Sequence, residues 1–229
     1  MLAVDLHAHT RFFHGRRDLG DRFDPLGVRA LRWAARRRGL DAVTTTNHDY
    51  YTPFRSGDRV AVLPGIEVSS TMGHVLVLGP DPPSETIPGE YTPAEVVDIA
   101  HERGCVAIAA HPYRGSSLGD LEDVAFDAIE INGKHPRTRP LVEAIAERWD
   151  VPVVAGSDAH LPVEVGRAYT WIDASEASPE AVVAAIREGR VKPRVGTGYV
   201  DRLMRSAYRR HHARKHPDSV LASADPTNG

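Results

Sequence analysis

The 229 residues contain a single cysteine, Cys105, so no disulfide can form within the chain, and a packed core must hold the fold. The run Cys105-Val106-Ala107-Ile108-Ala109-Ala110 reads as a buried strand, which makes that thiol a small core residue. No apolar run approaches the ~18 residues of a membrane span, and the four residues before Asp5 are too few for a signal peptide. A cytoplasmic protein without membrane contact is expected. Charge of one sign is also missing: 28 Lys and Arg face 31 Asp and Glu, and a net charge of -3 gives no global case for nucleic-acid or membrane affinity. The balance is uneven, because residues 201–229 hold six Lys/Arg and three Asp, a net of +3, which leaves -6 for residues 1–200. No repeat or low-complexity linker interrupts residues 1–200, so one domain is expected there. A basic helix over Val200 to Lys215 and a small, polar, unstructured tail from Pro217 to Gly229 should follow.

What is present is a series of short apolar strands, each ending in a polar, ligand-rich motif. Leu2 to Leu6 reads as a buried strand, and a two-residue side-chain period sends His7 and His9 to the same side. Asp24-Pro25 supplies an N-cap and a first-turn proline for a helix that runs to about Arg38 and stops at Gly39. Asp41 to Thr46 is a β-branched strand leading into Asn47-His48-Asp49. Val60 to Val68, the turn Thr71-Met72-Gly73 and His74 to Leu78 form two adjacent strands, with Glu67 near the end of one and His74 opening the next. Thr92-Pro93-Ala94-Glu95 is a capping box for a second helix ending near Gly104. Val106 to Ala110 delivers His111-Pro112, and Ala128 to Ile131 delivers Asn132-Gly133-Lys134-His135. A helix over Thr138 to Trp149 precedes Pro152 to Ala155, which delivers Gly156-Ser157-Asp158-Ala159-His160. Tyr169 to Ile172 reads as the last strand, and Ser178-Pro179-Glu180 caps a helix ending at Gly189.

Strands alternating with helices predict an α/β fold with a parallel sheet closed or nearly closed into a barrel, whose chemistry sits at the carboxyl ends of the strands. His7, His9, His48, Glu67, His111, Asp158 and His160 all fall there. With His14 and His74, nine nitrogen and oxygen ligands exceed what one ion needs and suit a cluster in which a carboxylate bridges.

Asp5-Leu6-His7-Ala8-His9-Thr10, Asn47-His48-Asp49, Gly65-Ile66-Glu67, Ala110-His111-Pro112 and Gly156-Ser157-Asp158-Ala159-His160, in this order, resemble the polymerase and histidinol phosphatase (PHP) superfamily of metal-dependent phosphoesterases. The resemblance spans about residues 3–195 and implies a distorted (β/α)7 barrel holding two or three divalent ions, with zinc, manganese and iron all suited to such ligands. It further implies that His7, His9, Glu67 and Asp158 hold one ion, Glu67, His74 and His111 a second, and His14, His48 and His160 a third. Position 14 departs from the commoner aspartate, which changes the softness of the third site rather than removing it. Hydrolysis of a phosphate ester by a water shared between two ions, held by Glu67 and Asp158, is the activity implied. Asp5, Asn47 and Asp49 flank ligands and are suited to orienting imidazoles. Arg114, Lys134 and His135 follow strand ends and are the candidates for gripping substrate phosphate.

The substrate expected is a small phosphorylated metabolite or nucleotide; only 36 residues separate His74 from His111, so no large lid is expected between them. Two rivals remain open at this stage. One is an exonuclease on nucleic-acid ends, supported by the basic stretch Arg202 to Lys215. The other is a non-catalytic metal-binding module, against which stands a residue able to coordinate at every position the family uses.

Overall fold

The computed structural model describes residues 1–10, 20–54, 59–113, 118–196 and 206. His14, Arg114 and, Ser206 apart, the helix and tail expected beyond residue 200 lie outside the described residues.

Nine strands form one sheet: β1 (Leu2–Ala8), β2 (Ala42–His48), β3 (Ala61–Ser70), β4 (Gly73–Leu78), β5 (Val106–Ala109), β6 (Ala128–Asn132), β7 (Val153–Gly156), β8 (Ala168–Ile172) and β9 (Val191–Val195). Their spatial order is β7-β6-β5-β4-β3-β2-β1-β8-β9. Among the described residues four α-helices accompany them: α1 (Gly20–Arg37), α2 (Pro93–Glu102), α3 (Arg139–Trp149) and α4 (Pro179–Arg187). The α/β class and the nearly closed barrel agree with the sequence reading, whereas an all-parallel sheet of seven does not. The β1–β2, β2–β3, β5–β6 and β6–β7 pairs are parallel, but β3–β4, β4–β5, β1–β8 and β8–β9 are antiparallel. The reason at β3–β4 is local: Ser70 pairs with Gly73, a turn far too short for a parallel crossover. Tyr169 to Ile172 is also not the last strand. Val191–Val195 follows it as an edge strand whose Lys192, Pro193 and Arg194 carry no apolar run to announce it.

Both edges of the sheet curl together, with β7 packed against β1, β8 and β9. Side chains tie this seam. Thr170 Oγ1 donates to the Ala155 carbonyl at 2.9 Å and accepts the Ala155 N–H at 2.8 Å. Asp5 Oδ1 accepts the Ser157 N–H at 2.9 Å, and Ser157 Oγ donates to the His7 carbonyl at 3.2 Å.

The inner face is apolar at one end and polar at the other. Val4, Leu63, Leu78, Val106, Ala128 and Ile172 pack with Val182, Val183 and Ile186 of α4, which closes the end where the parallel strands begin. Each such fully buried aliphatic side chain stabilises the fold by about 1.5–3 kcal/mol. Alpha2 and α3 cover the outer face through Val96, Val97, Ala100, Val142 and Ile145, and α1 covers it through Leu31, Ala34 and Ala35.

Two helix starts contrast. The expected capping box opens α2: Thr92 Oγ1 accepts the Glu95 N–H at 3.3 Å, and Glu95 Oε2 accepts the Thr92 N–H at 2.8 Å. Asp24, however, does not open α1, which begins at Gly20 and takes Pro25 into its second turn. The Asp24 carboxylate is spent elsewhere, accepting from Thr10 Oγ1 at 3.0 Å and Tyr50 OH at 2.8 Å, and so pins α1 to the ends of β1 and β2.

Candidate metal centre

Alternation along each strand carries the inner face from aliphatic to ligand. Leu63 leads to Glu67 in β3, Leu76 to His74 in β4, Ala128 to Glu130 in β6 and Val154 to Asp158 past β7. In β1 the alternation is broken. Val4 and Leu6 face α4, yet Ala3 and Ala8 both belong to the cluster under α1, an odd step that needs the register shift between Asp5 and Ala8. That irregularity brings His7 and His9 into the cluster, and Asp5 Oδ1 accepts the His7 N–H at 3.3 Å. Backbone geometry also turns the other motifs inward. Asp49, His111 and Asp158 hold left-handed φ values of 59°, 29° and 52°, a conformation that costs non-glycine residues energy and concentrates at functional sites. Asp49 is fixed by Ser69 N–H, Ser69 Oγ and Thr86 Oγ1 at 2.8, 2.7 and 3.0 Å.

Glu67, fully buried, is the centre of the arrangement. Its Oε1 lies 2.8 Å from His74 Nδ1 and 3.0 Å from His111 Nε2. Its Oε2 lies 3.2 Å from His7 Nε2, 3.2 Å from His9 Nε2 and 3.3 Å from His48 Nδ1. These five imidazoles surround the carboxylate in a closed circuit, with successive ring centroids 5.2, 4.8, 5.0, 5.2 and 5.7 Å apart in the order His7, His9, His48, His74, His111 and back. His160 packs on His9 at 4.2 Å. Asp158 Oδ1 joins from the β7 side, 3.4 Å from His9 Nε2 and 3.2 Å from His160 Nδ1. The structure thus brings together His7, His9, His48, Glu67, His74, His111, Asp158 and His160.

The donors fit divalent cations. Their atoms converge in four groups, His7–His9–Asp158, His7–Glu67–His111, His48–Glu67–His74 and His9–His48–His160, each spanning no more than 4.8 Å. His74 Nδ1 is buried and close to Glu67, yet makes no hydrogen bond, a contact that a cation between lone pairs resolves. Burial together with the His9 and His74 rings, against the pull of Glu67, pushes His48 down to about 2. Burial and His9 push His160 down to about 3. Both rings are therefore neutral, the form that coordinates. Burial also disfavours a charged His7, but the carboxylates of Glu130, Glu67 and Asp158 outweigh it and hold its imidazolium well above the usual range.

Three buried residues escaped the sequence reading. Glu130 Oε1 accepts from His7 Nδ1 at 2.8 Å, and its Oε2 accepts the His111 N–H at 3.1 Å. This contact leaves His7 Nε2 as the nitrogen that could face a cation, the usual way a carboxylate orients a metal-binding imidazole. Asn132 Nδ2 donates to Asp158 Oδ2 at 3.2 Å. Glu164 Oε2 accepts the His160 and Leu161 N–H groups at 2.7 and 2.8 Å. The signal for Glu130 was available: a charged residue at an inward position of the strand Ala128 to Asn132 needs a partner. Asp5 and Asn47 support backbone rather than imidazole rings, Asn47 Oδ1 accepting the Thr10 N–H at 2.9 Å and Asp5 Oδ2 the Gly166 N–H at 2.8 Å. Gly156 is required by close packing, because a Cβ there would lie 2.6 Å from Glu130 Oε1 and overlap the His7 Cβ.

Of the phosphate-gripping candidates, Lys134 reaches the cluster: its Nζ lies 3.1 Å from Asp158 Oδ1 and 2.8 Å from His160 Nδ1. His135 is buried beside it in the turn into Pro136–Thr138 and belongs to none of the four ligand groups.

Comparison with known proteins gives a consistent picture. Residues 136–191 match the family model described as PHP-associated. The protein MJ1587 of Methanocaldococcus jannaschii, itself uncharacterized, is 28% identical over 151 residues, 59% of this chain and 84% of the relative. PsfC from Pseudomonas syringae shares the fold with a TM-score of 0.67 at 21% identity, over 92% of this chain and 98% of PsfC. A two-domain Bacteroides vulgatus protein containing a predicted PHP-like metal-dependent phosphoesterase superposes with a TM-score of 0.60 at 19% identity, over 85% of this chain and 65% of that one. The lesion-specific endonuclease Q of Pyrococcus furiosus gives 0.60 at 18% identity, over 84% of this chain and 57% of its own length. Among the described residues no helix is long and apolar enough to cross a membrane. The five ordered motifs, the matched segment and the shared barrel all resemble the PHP superfamily.

Proposed function

We propose that the protein is a metal-dependent phosphoesterase that hydrolyses a small phosphorylated substrate, with His7, His9, His48, Glu67, His74, His111, Asp158 and His160 as ligands to two or three divalent ions. One observation carries this reading: the two oxygens of the buried Glu67 are divided, Oε1 toward His74 and His111 and Oε2 toward His7 and His9. A carboxylate shared in this way suits a bridge between two cations. Ions bound there supply Lewis acidity and an activated water near neutral pH.

The chain's own groups do the rest. Glu130 holds the proton on His7 Nδ1 and leaves Nε2 free to bind. Asn132 and Lys134 both bind the Asp158 carboxylate, so its second role, beside Glu67 at the attacking water, is exercised from a fixed position. The Lys134 ammonium places a positive charge where a substrate phosphoryl oxygen would approach His160 and Asp158. No serine or cysteine nucleophile is needed, and Cys105 is buried in the core under α2.

The test is hydrolysis of p-nitrophenyl phosphate and bis-p-nitrophenyl phosphate after reconstitution with manganese or zinc, with and without chelator. Chelator-sensitive release of p-nitrophenol is the expected result. Metal uptake without hydrolysis of either ester, of phosphorylated metabolites or of short oligonucleotides would instead identify a metal-binding module, and activity confined to oligonucleotide ends would identify an exonuclease.

A further inference from the structure

The outer face of α1 is unlike the rest of the surface. Between Leu26 and Leu40 the sequence has five arginines, Arg29, Arg32, Arg36, Arg37 and Arg38, and no lysine, aspartate or glutamate. Residues three, four and seven apart share a helix face, so Arg29, Arg32, Trp33 and Arg36 line up. Together with Arg59 and Val60 they line a concavity of about 480 Å3. Trp33 is 59% exposed, and the Arg37 guanidinium lies over one face of its ring at 4.9 Å. Arg32 Nε is buried and makes no hydrogen bond. Four like charges converge there, and no carboxylate is among the described residues lining the concavity.

The geometry points to a docking surface for single-stranded nucleic acid, its phosphates held by Arg29, Arg32, Arg36 and Arg59 and a base stacked against Trp33. Three features select this occupant. Guanidinium groups fit phosphate oxygens in pairs, and four of them line this one concavity. The arginines extend over about 10 Å of helix from Arg29 to Arg36, at 1.5 Å per residue, which exceeds a single phosphate and follows a phosphate chain. An exposed indole beside a basic groove is the combination that sequence-tolerant single-strand binding uses, with each stacked base contributing about 1–3 kcal/mol. A membrane would meet a convex, apolar-tipped surface, whereas this one is concave and lined by charge. The inference stands apart from the hydrolytic reading, since none of these residues belongs to the metal centre.

The experiment is fluorescence anisotropy of a labelled single-stranded 20-mer of mixed sequence, titrated with full-length protein in chelator so that nothing is cleaved. The wild type should bind at low salt. The Arg29→Gln/Arg32→Gln/Arg36→Gln variant should bind at least tenfold more weakly, and its salt dependence should be shallower by about two units of slope, three contacts at ~0.7 each. Because Arg32 is partly buried, Arg29→Gln/Arg36→Gln serves as a second variant, and both are checked by thermal melting. Trp33→Ala should weaken binding without changing the salt slope. Equal affinity of folded variants and wild type would overturn the proposal by placing the binding elsewhere, as in residues 201–215. So would an absence of wild-type binding at low salt, or a preference for phosphatidylserine vesicles over the oligonucleotide.

Discussion

Two concentrations of charge distinguish this protein, and they are built on opposite principles. At the strand ends, six imidazoles and two carboxylates converge, with His7, His9, His111, Glu67 and Asp158 buried and His48, His74 and His160 half-buried, and each is held by a named neighbour. On α1, Arg29 and Arg36 stand in solvent, and among the described residues no carboxylate lines the concavity they share. Burying charge costs several kcal/mol per group unless it is compensated, so the first cluster is informative by its existence: it is an arrangement that a cation would complete. Exposed like charges cost little under physiological screening, so the second is informative only through its pattern, an exposed tryptophan and a concave shape.

The comparison breaks most sharply at Glu67. Glu67→Gln keeps the shape but removes the charge that two ions would share, and turnover should fall by more than about 100-fold, beyond the range of outer-layer substitutions. Arg29→Gln/Arg36→Gln should leave turnover unchanged. Full activity and full metal content in Glu67→Gln, measured by steady-state kinetics and elemental analysis, would remove the bridging assignment. His160→Ala should lose less than Glu67→Gln, because it stands outside the circuit of five rings.

Glu130→Gln comes next. It touches no substrate in this reading but orients His7, so metal affinity should drop about 10- to 100-fold while the metal-saturated turnover recovers. Competition with a fluorescent chelator gives the affinity. An unchanged value would reduce Glu130 to a purely structural carboxylate.

Stripping the metal should lower the melting temperature by about 5–10 °C. Saturation at a hundredfold excess over Kd stabilises by about 2.7 kcal/mol, and a chain of this size shifts about 2–4 °C per kcal/mol. Adding 0.5 M salt should leave this shift intact while erasing oligonucleotide binding, since buried ligands are little screened and exposed arginines are. Parallel loss of both with salt would erase the distinction between the two regions.

A smaller effect is expected with pH. The surrounding carboxylates outweigh burial and hold the His7 imidazolium well above its ordinary range. A cation must displace that proton, so apparent metal affinity should rise about tenfold per pH unit from pH 6 upward, until the raised His7 pKa is passed. Calorimetry in buffers of differing ionisation enthalpy should register proton release on binding. Affinity independent of pH between 6 and 8 would mean that His7 enters the site already neutral.

The smallest effect belongs to removal of residues 201–229. Hydrolysis of small esters and bound metal should change less than about twofold, because every proposed ligand precedes that point. A large loss of both would make the tail part of the centre.

The cluster was legible in the sequence because metal binding would demand particular side chains, and short motifs at strand ends carry them intact: His7, His9, His48, Glu67, His111, Asp158 and His160, which the structure brings together, could be named as candidates from residue type and position alone. Helix caps such as Thr92-Pro93-Ala94-Glu95 were equally legible, since their hydrogen bonds are local. Asp24 misled for the converse reason. Its residue type and the following proline announce a cap, but a tertiary contact with Thr10 and Tyr50 outranked it. Beta9 was missed because an edge strand needs only one partner and so little apolar patterning.

By itself, then, the sequence determined which atoms can bind metal, where strands and capped helices form, and that the core must hold without disulfides. These depend on side-chain chemistry and on neighbours a few residues apart. Only the tertiary structure decided that the sheet is mixed and sealed by Asp5 and Thr170, that β1 shifts register to bring in His7, and that Glu130 and Lys134 join the cluster. Those outcomes rest on contacts between residues up to 161 positions apart, as between Asp5 and Gly166, and no local rule carries them.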